Sequence, residues 1–235
     1  MGVCETFFVT GTDTGIGKTR SMLVLMRAFR EQGFRVAGMK PVASGAEHQD
    51  GKLQNRDAQL ILQECSQPEQ YDTINPCVYR EPVSPHLAAR LEDKEVDTDR
   101  IIEQARCLQQ RTDILLIEGV GGWRVPWGGQ LQARDLVRQL QIPVILVVGL
   151  RLGCISHALL TAEAIRQDNI EIAGWIANRI DHDYLYADES INDLGNWLTA
   201  PLIGVLPHQP GENPEITPDG LGLQVLSRAP ATRPA

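Results

Sequence analysis

Residues 7–22 read FFVTGTDTGIGKTRSM, an apolar run followed by a turn with Gly11, Gly15 and Gly17 and then a segment of helical period that opens on Lys18 and Thr19. The phosphate-loop pattern is G-x-x-x-x-G-K-[ST]. Here Gly17, Lys18 and Thr19 supply its end, Thr12 holds the first-glycine position and Gly11 stands one residue early. In such a turn, backbone N–H groups at a helix N-terminus wrap phosphates, a lysine reaches the β and γ oxygens, and a threonine hydroxyl takes Mg²⁺. Gly17, Lys18 and Thr19 therefore belong to a candidate triphosphate cradle. The bland alternative is a glycine-rich turn without a ligand, and the order of strand, turn, lysine, threonine and helix argues against it.

Binding a nucleotide leaves open what the nucleotide drives, so the other loops matter. GMKPVASG, residues 38–45, puts Lys40 at a strand end, before a proline that stops the strand and small residues that admit a ligand. Lys40 is a candidate to neutralise charge on a transferring phosphoryl group, the alternative being a solvated lysine at a strand terminus. LLIEGVGGWRVP, residues 115–126, ends an apolar strand on Glu118 and continues with Gly119, Val120, Gly121 and Gly122. A carboxylate at a buried strand end needs a partner, and Mg²⁺ beside a triphosphate is a natural one. A salt bridge or a cap would serve as well. Asp57, in QNRDAQLI, sits where a helix starts and by itself suits an N-cap. Gly153, Cys154, Ile155 and Ser156 open another helix, where an anion could sit on the dipole or Ser156 could simply cap it. Asn178, at the end of WIAN, could read a base edge or satisfy turn backbone.

The elements that must hold these loops follow from the apolar pattern. Runs suited to buried strands recur at residues 6–10, 35–39, 114–117, 144–148, 172–177 and 202–206, with helical periodicity at 21–31, 98–110, 156–167 and 191–198. Alternating strands and helices predict an α/β fold: a P-loop NTPase-like, mostly parallel sheet with helices on both faces. Ligands gather at the carboxyl ends of such strands, where all of these loops begin. Residues 71–92, with Pro76, Pro82 and Pro85, predict an irregular excursion with one short helix. Residues 1–225 read as one domain and 226–235, rich in Pro and Ala, as a flexible tail.

The chain has 235 residues, 43% of them hydrophobic and 22% charged, enough for a sizeable core. Its net charge of -8 argues against nucleic acid or anionic membranes as partners. Neither a basic leader nor a membrane-length apolar run is present, so a cytoplasmic location is expected. The five cysteines are scattered, without C-x-x-C, and suit free thiols; the five histidines show no ligand spacing.

Taken together, FVTGTDTGIGKT, AGMKPVASG, NRDA, EGVGGW, ILVVGLRLGCISHALLT, GWIAN and PLIGVLP, in this order, resemble the dethiobiotin synthetase family from Phe7 to about Asn213. The resemblance implies an ATP-dependent cyclo-ligase that makes the ureido ring of dethiobiotin from 7,8-diaminononanoate and CO₂. It further implies phosphates on Gly15, Ile16, Gly17, Lys18 and Thr19, and Mg²⁺ on Thr19, Asp57 and Glu118. Lys18 and Lys40 would be catalytic, and Thr14, Lys40 and Ser44 would contact the diamine or carbamate. Gly119, Val120 and Gly121 would border the nucleotide, with adenine contacts from Asn178, Arg179, Leu206, Pro207, His208 and Glu212. It also implies a homodimer in which Gly153, Cys154, Ile155 and Ser156 of the second subunit meet the substrate carboxylate. Many family members carry an acidic residue where this chain has Gly15, and Asn where it has Ser156.

Two alternatives share the nucleotide core. Switch ATPases of the partition and division-site type carry a second lysine early in the loop, as K-G-G-x-G-K-T, where this chain has Asp13. Amidotransferases acting on cobyrinic acids append a glutaminase domain, for which no length remains after Asn213.

Overall fold

The computed structural model describes residues 4–49, 51–209 and 220–226. Six strands form a parallel sheet: β1 (Glu5–Gly11), β2 (Val36–Met39), β3 (Ile114–Glu118), β4 (Val144–Leu150), β5 (Ile172–Arg179) and β6 (Leu202–Leu206). Their order is β6-β5-β4-β1-β3-β2. The strands are uninterrupted apolar runs because helices cover both faces. All seven residues of β4 are buried, as are all but the first of β1. The main helices are α1 (Lys18–Glu31), α2 (Arg56–Glu64), α3 (Thr98–Gln109), α4 (Ala133–Leu140), α5 (Cys154–Gln167) and α6 (Ala187–Trp197).

Strands and helices fall where the apolar pattern expected them, with shifted ends. Helix α1 starts on Lys18 rather than residue 21, because the phosphate turn leads directly into it; Gly17 is its N-cap, in the left-handed region at φ 81. Helix α4 is an element the pattern did not mark. It is only eight residues long, with four apolar positions, and the Gln132 amide, donating to Asp135 Oδ2 at 2.8 Å, marks its start. The excursion over residues 71–92 holds two short helices, Tyr71–Ile74 and Pro85–Leu91, where one was expected. Pro85 starts the second at a position where its missing N–H costs nothing. Of the tail expected from residue 226 onward, only Leu226 lies among the described residues.

The core has two parts. One joins Met22, Leu25, Met26 and Phe29 of α1 to Phe8, Val36 and Ile117 of the sheet, with Ile61 of α2 and Ile101 of α3. The other packs Leu146, Val148 and Trp175 against Ala158, Ala162 and Leu194 on α5 and α6. Each fully buried Leu, Ile or Phe contributes roughly 1.5–3 kcal/mol. The sheet and its helices therefore carry stability, leaving the loops at the strand ends free to be shaped by chemistry.

Topology places those loops. From β1 the chain crosses past β3 to β2, while from β3 it crosses past β1 to β4. Adjacent strands thus send their connections in opposite directions, and a crevice opens at their carboxyl ends. Register aligns Val9 with Glu118 and Gly149 with Asn178, which brings the ends of β3 and β5 level with the turn after Gly11. Among the described residues no helix is long and apolar enough to cross a membrane.

Candidate active site

A cleft of about 690 Å³ lies across these strand ends. Thr14, Gly15, Gly17, Lys18 and Thr19 form one wall, and Lys40, Ser44 and Asp57 another. Glu118, Val120 and Gly121 contribute from the loop after β3, and Asn178, Arg179 and His208 from the far side. The sequence-marked loops after β1, β2, β3, β5 and β6 therefore all reach one cleft.

At its centre is a charge cluster. Lys40 Nζ lies 2.5 Å from Glu118 Oε1 and 3.2 Å from Asp57 Oδ2. Thr19 Oγ1 donates to the same Glu118 oxygen at 2.9 Å. Glu118 is 1% exposed and Lys40 4%, so both charges are nearly out of water. Burial opposes the charge on Lys40, but the Glu118 and Asp57 carboxylates outweigh it and hold the ammonium above its ordinary pKa. Burial likewise raises the Glu118 carboxyl, and Lys40 offsets this only in part. Asp57 stays below the carboxylate range: its burial is overcome by the charge of Lys40 and the hydrogen bond from it.

Glu118 Oε2 is buried and has no hydrogen-bond partner. A second cation beside Thr19 Oγ1 and Asp57 would satisfy it, and hard oxygen donors of this kind suit Mg²⁺. Among the described residues no group of three or more His, Cys, Asp or Glu could hold a metal. Two carboxylates and a hydroxyl instead suit an ion that keeps water and phosphate oxygens as its remaining ligands.

Asp57 is not the cap of α2. Asn55 is, accepting from the Ala58 amide at 3.3 Å, which leaves the Asp57 carboxylate free to meet Lys40.

Lys18 donates to the Asp13 carbonyl at 2.7 Å. Burial lowers its pKa to about 8, and Lys40 nearby pushes the same way. Triphosphate oxygens would restore full charge there. Asp13 stands where partition ATPases have their second lysine. One of its carboxylate oxygens accepts from the Thr14 amide at 2.7 Å and the other from Arg151 at 2.5 Å.

Asn178 holds the phosphate turn. Its Nδ2 donates to the Ile16 carbonyl at 2.8 Å, and its Oδ1 accepts from Arg20 at 3.1 Å. One amide hydrogen and one lone pair remain for another partner. Ile16 is buried, so only its backbone serves the turn. A Cβ on Gly17 would lie 2.1 Å from Asn178 Nδ2, and φ of 81 already disfavours a side chain. Gly17→Ala is thus expected to break the Asn178 contact and weaken nucleotide binding by roughly tenfold or more, given about 1–2 kcal/mol for left-handed strain alone. Calorimetric titration with ADP checks it, and unchanged affinity would count against the turn as the phosphate site.

Other marked residues sit differently. Gly119 continues the ladder by donating to the Val9 carbonyl at 3.0 Å and does not line the cleft. Leu206 points its side chain into the core rather than toward a base. Pro207 offers its carbonyl to Arg20 at 2.7 Å. Glu212 lies outside the described residues. Gly153, Cys154, Ile155 and Ser156 do not line the cleft. Gly153, at φ 92, is the N-cap of α5, and Ser156 falls inside its first turn, so Ser156 is not the cap. Arg20, Arg56, Leu60, Ile180 and Gln209 line the cleft without having been marked. Arg20 ties α1 to the ends of β5 and β6, a role no local pattern discloses.

A family model described as AAA domain matches residues 5–215. The chain is 48% identical over 208 residues to the ATP-dependent dethiobiotin synthetase BioD of Aromatoleum aromaticum, covering 88% of this chain and 92% of that protein. The chain belongs to the dethiobiotin synthetase family. It is also 44% identical over 225 residues to the protein of the same name from Pseudomonas paraeruginosa, covering 92% of this chain and 99% of the relative. Among solved structures, it resembles the MinD cell division protein of Aquifex aeolicus, with a TM-score of 0.55 and 17% identity over 88% of this chain and 84% of the other. A ParA family ATPase from Chlorobium tepidum gives 0.53 and 10%, over 87% and 85%. At these identities the likeness is one of fold: this family is built on the P-loop NTPase architecture.

Proposed function

We propose that this protein closes the ureido ring of dethiobiotin from 7,8-diaminononanoate, CO₂ and ATP. The observation that carries the reading is Lys40: a buried ammonium outside the phosphate loop, on the cleft wall facing Lys18 and Thr19. A turn built only to hold nucleotide has no need of it.

One amine of the substrate adds to CO₂ and loses a proton, giving a carbamate. A carbamate oxygen then attacks the γ-phosphorus of ATP, and the bond to the ADP oxygen breaks. The second amine attacks the carbonyl carbon, the C–O bond to phosphate breaks, and phosphate departs as the ring closes. Positioning and charge neutralisation suffice for these steps. Held above its ordinary pKa, Lys40 stays cationic and serves as an electrostatic group rather than a base. Lys18 neutralises the β and γ oxygens, while Thr14 and Ser44 border the carbamate. Thr19, Asp57 and Glu118 would hold Mg²⁺, which supplies charge stabilisation at the phosphoryl oxygens.

The same reading makes the protein a homodimer. Residues 153–156 stand outside this subunit's cleft, and Leu152 beside them is 87% exposed. Both support a role for that segment in a second copy's site, where Gly153, Cys154, Ile155 and Ser156 would meet the substrate carboxylate. Asn178, Arg179, Pro207 and His208 would surround the adenine.

Incubation of the purified protein with the diamine, bicarbonate and Mg-ATP, followed by mass spectrometry, is expected to reveal the cyclic urea with one ADP formed per ring. ATP turnover that ignores the diamine would overturn the reading.

A further inference from the structure

Lys40 and Asp57 arrive from separate segments, and something must fix their separation. Two hydrogen-bond links between these segments run through the excursion over residues 71–92. The Lys40 amide donates to the Ile74 carbonyl at 2.8 Å. Its carbonyl accepts from Asn75 Nδ2 at 2.6 Å. Asn75 Oδ1 accepts the Tyr71 hydroxyl at 2.8 Å, and the Tyr71 oxygen accepts the Asn55 amide at 2.7 Å.

Asn55 branches the chain. Its side-chain oxygen caps α2, the helix that carries Asp57, and its Nδ2 donates to the Ser44 carbonyl at 3.2 Å. Asn75 is 2% exposed and both ends of its amide are engaged. A buried network of this kind is rigid when every member is satisfied. The donors run in one direction, from Asn55 N–H through Tyr71 O–H to Asn75, so each bond polarises the next. Pro76 follows Asn75 and disfavours helical backbone there, so the short helix Tyr71–Ile74 ends at Asn75, with φ -131 and ψ 75.

We propose that Asn75, Tyr71 and Asn55 form a relay that positions the Lys40 backbone, the Ser44 backbone and the Asp57 helix as one unit. These are positioning residues: they act through Lys40, Ser44 and Asp57 and not on the substrate. The proposal rests on the ring-closing role given above to Lys40. Its prediction is specific: the relay sets the rate of the chemical step and, through Asp57, the metal's share of nucleotide binding, while nucleotide binding without metal is left alone, because the hydrogen bonds of the phosphate turn involve none of its members.

Tyr71→Phe removes a single hydroxyl and keeps the ring, so the fold is retained. It is expected to lower kcat about tenfold or more, since a displacement of ~1 Å at a reacting centre costs up to about 100-fold. The affinity for ADP without Mg²⁺ should stay within about twofold, as the phosphate turn itself is untouched. Asn75→Ala should behave alike. Because both cut the same chain, the double variant should lose little more than the worse single one. Losses that multiply in the double variant, or weakened metal-free ADP binding with unchanged kcat, would overturn the relay.

A second measurement is independent of the reaction. In Asn75→Ala, hydrogen exchange of the Asn55 amide should speed up although its hydrogen bond goes to Tyr71 and not to Asn75, and unchanged protection there would also overturn the relay. If the natural protein forms no cyclic urea, the proposed function fails and this exchange measurement still decides the relay.

Discussion

Lys40→Ala is expected to lower dethiobiotin formation by about 10³-fold, the scale on which charge-stabilising groups act at a transferring phosphoryl. The ammonium is also the counter-charge of Glu118 at 2.5 Å, so its loss acts on folding as well. Stranding one partner of a buried pair costs about 3–5 kcal/mol unless the remaining group neutralises itself. Burial already raises the Glu118 carboxyl, and Lys40 is the main influence holding it down. In the variant burial raises this carboxyl further, without the lysine to offset it. A carboxyl raised on folding contributes stability that is lost as pH rises, so the variant's deficit in thermal midpoint should grow with increasing pH. Mg-ADP should reduce that deficit by placing a cation beside Glu118, yet turnover should stay low. Scanning calorimetry with and without Mg-ADP, next to a product assay, separates the two effects. Near-normal product would remove Lys40 from the chemistry.

The fold was legible because each strand is buried on both faces, which turns it into a continuous apolar run. Ile114 to Ile117 and Val144 to Val148 have no other good interpretation in a chain with interleaved helical periods. Helix ends were less legible, as at Lys18, where polar residues that serve a ligand carry no apolar period. Helix α4 escaped because Ala133, Leu136 and Val137 are its only buried residues.

Residues that line the cleft were legible where the sequence carries a local anomaly: a lysine before proline, or a carboxylate closing an apolar strand ahead of glycines. Arg20 leaves none, since a charged residue on a helix reads as a solvated face. Its partners Asn178 and Pro207 lie 158 and 187 residues away. Asn55 and Asp57 show a different limit. Both are capping residue types two positions apart, and only the fold assigns the cap to one and the Lys40 contact to the other. Leu206 shows the same limit, because a strand-end side chain faces either the core or the cleft according to a register that sequence alone does not supply, and here it faces the core.

Glu118→Gln tests the metal side of the cluster with almost no change in shape. The amide can keep an oxygen toward Lys40 and Thr19, which now converge on Oε1 at 2.5 and 2.9 Å. Its nitrogen then occupies the position of Oε2, the buried atom without a partner. An N–H donor in that place repels a cation that the carboxylate would have held. Asp57, 3.2 Å from Lys40, still balances the ammonium, so the fold should survive. The expected result is that nucleotide binding without metal is retained while the gain in affinity on adding Mg²⁺ is largely lost. Turnover should fall by about 10³-fold, because a metal's charge at the phosphoryl oxygens is worth several kcal/mol and each ~1.4 kcal/mol is a factor of ten. Calorimetric titration of ADP with and without Mg²⁺ reads the first effect and the product assay the second. If Mg²⁺ strengthens ADP binding in the variant as much as in the natural protein, Glu118 is not a ligand, and the orphaned oxygen reflects only the depth at which the lysine pair is buried.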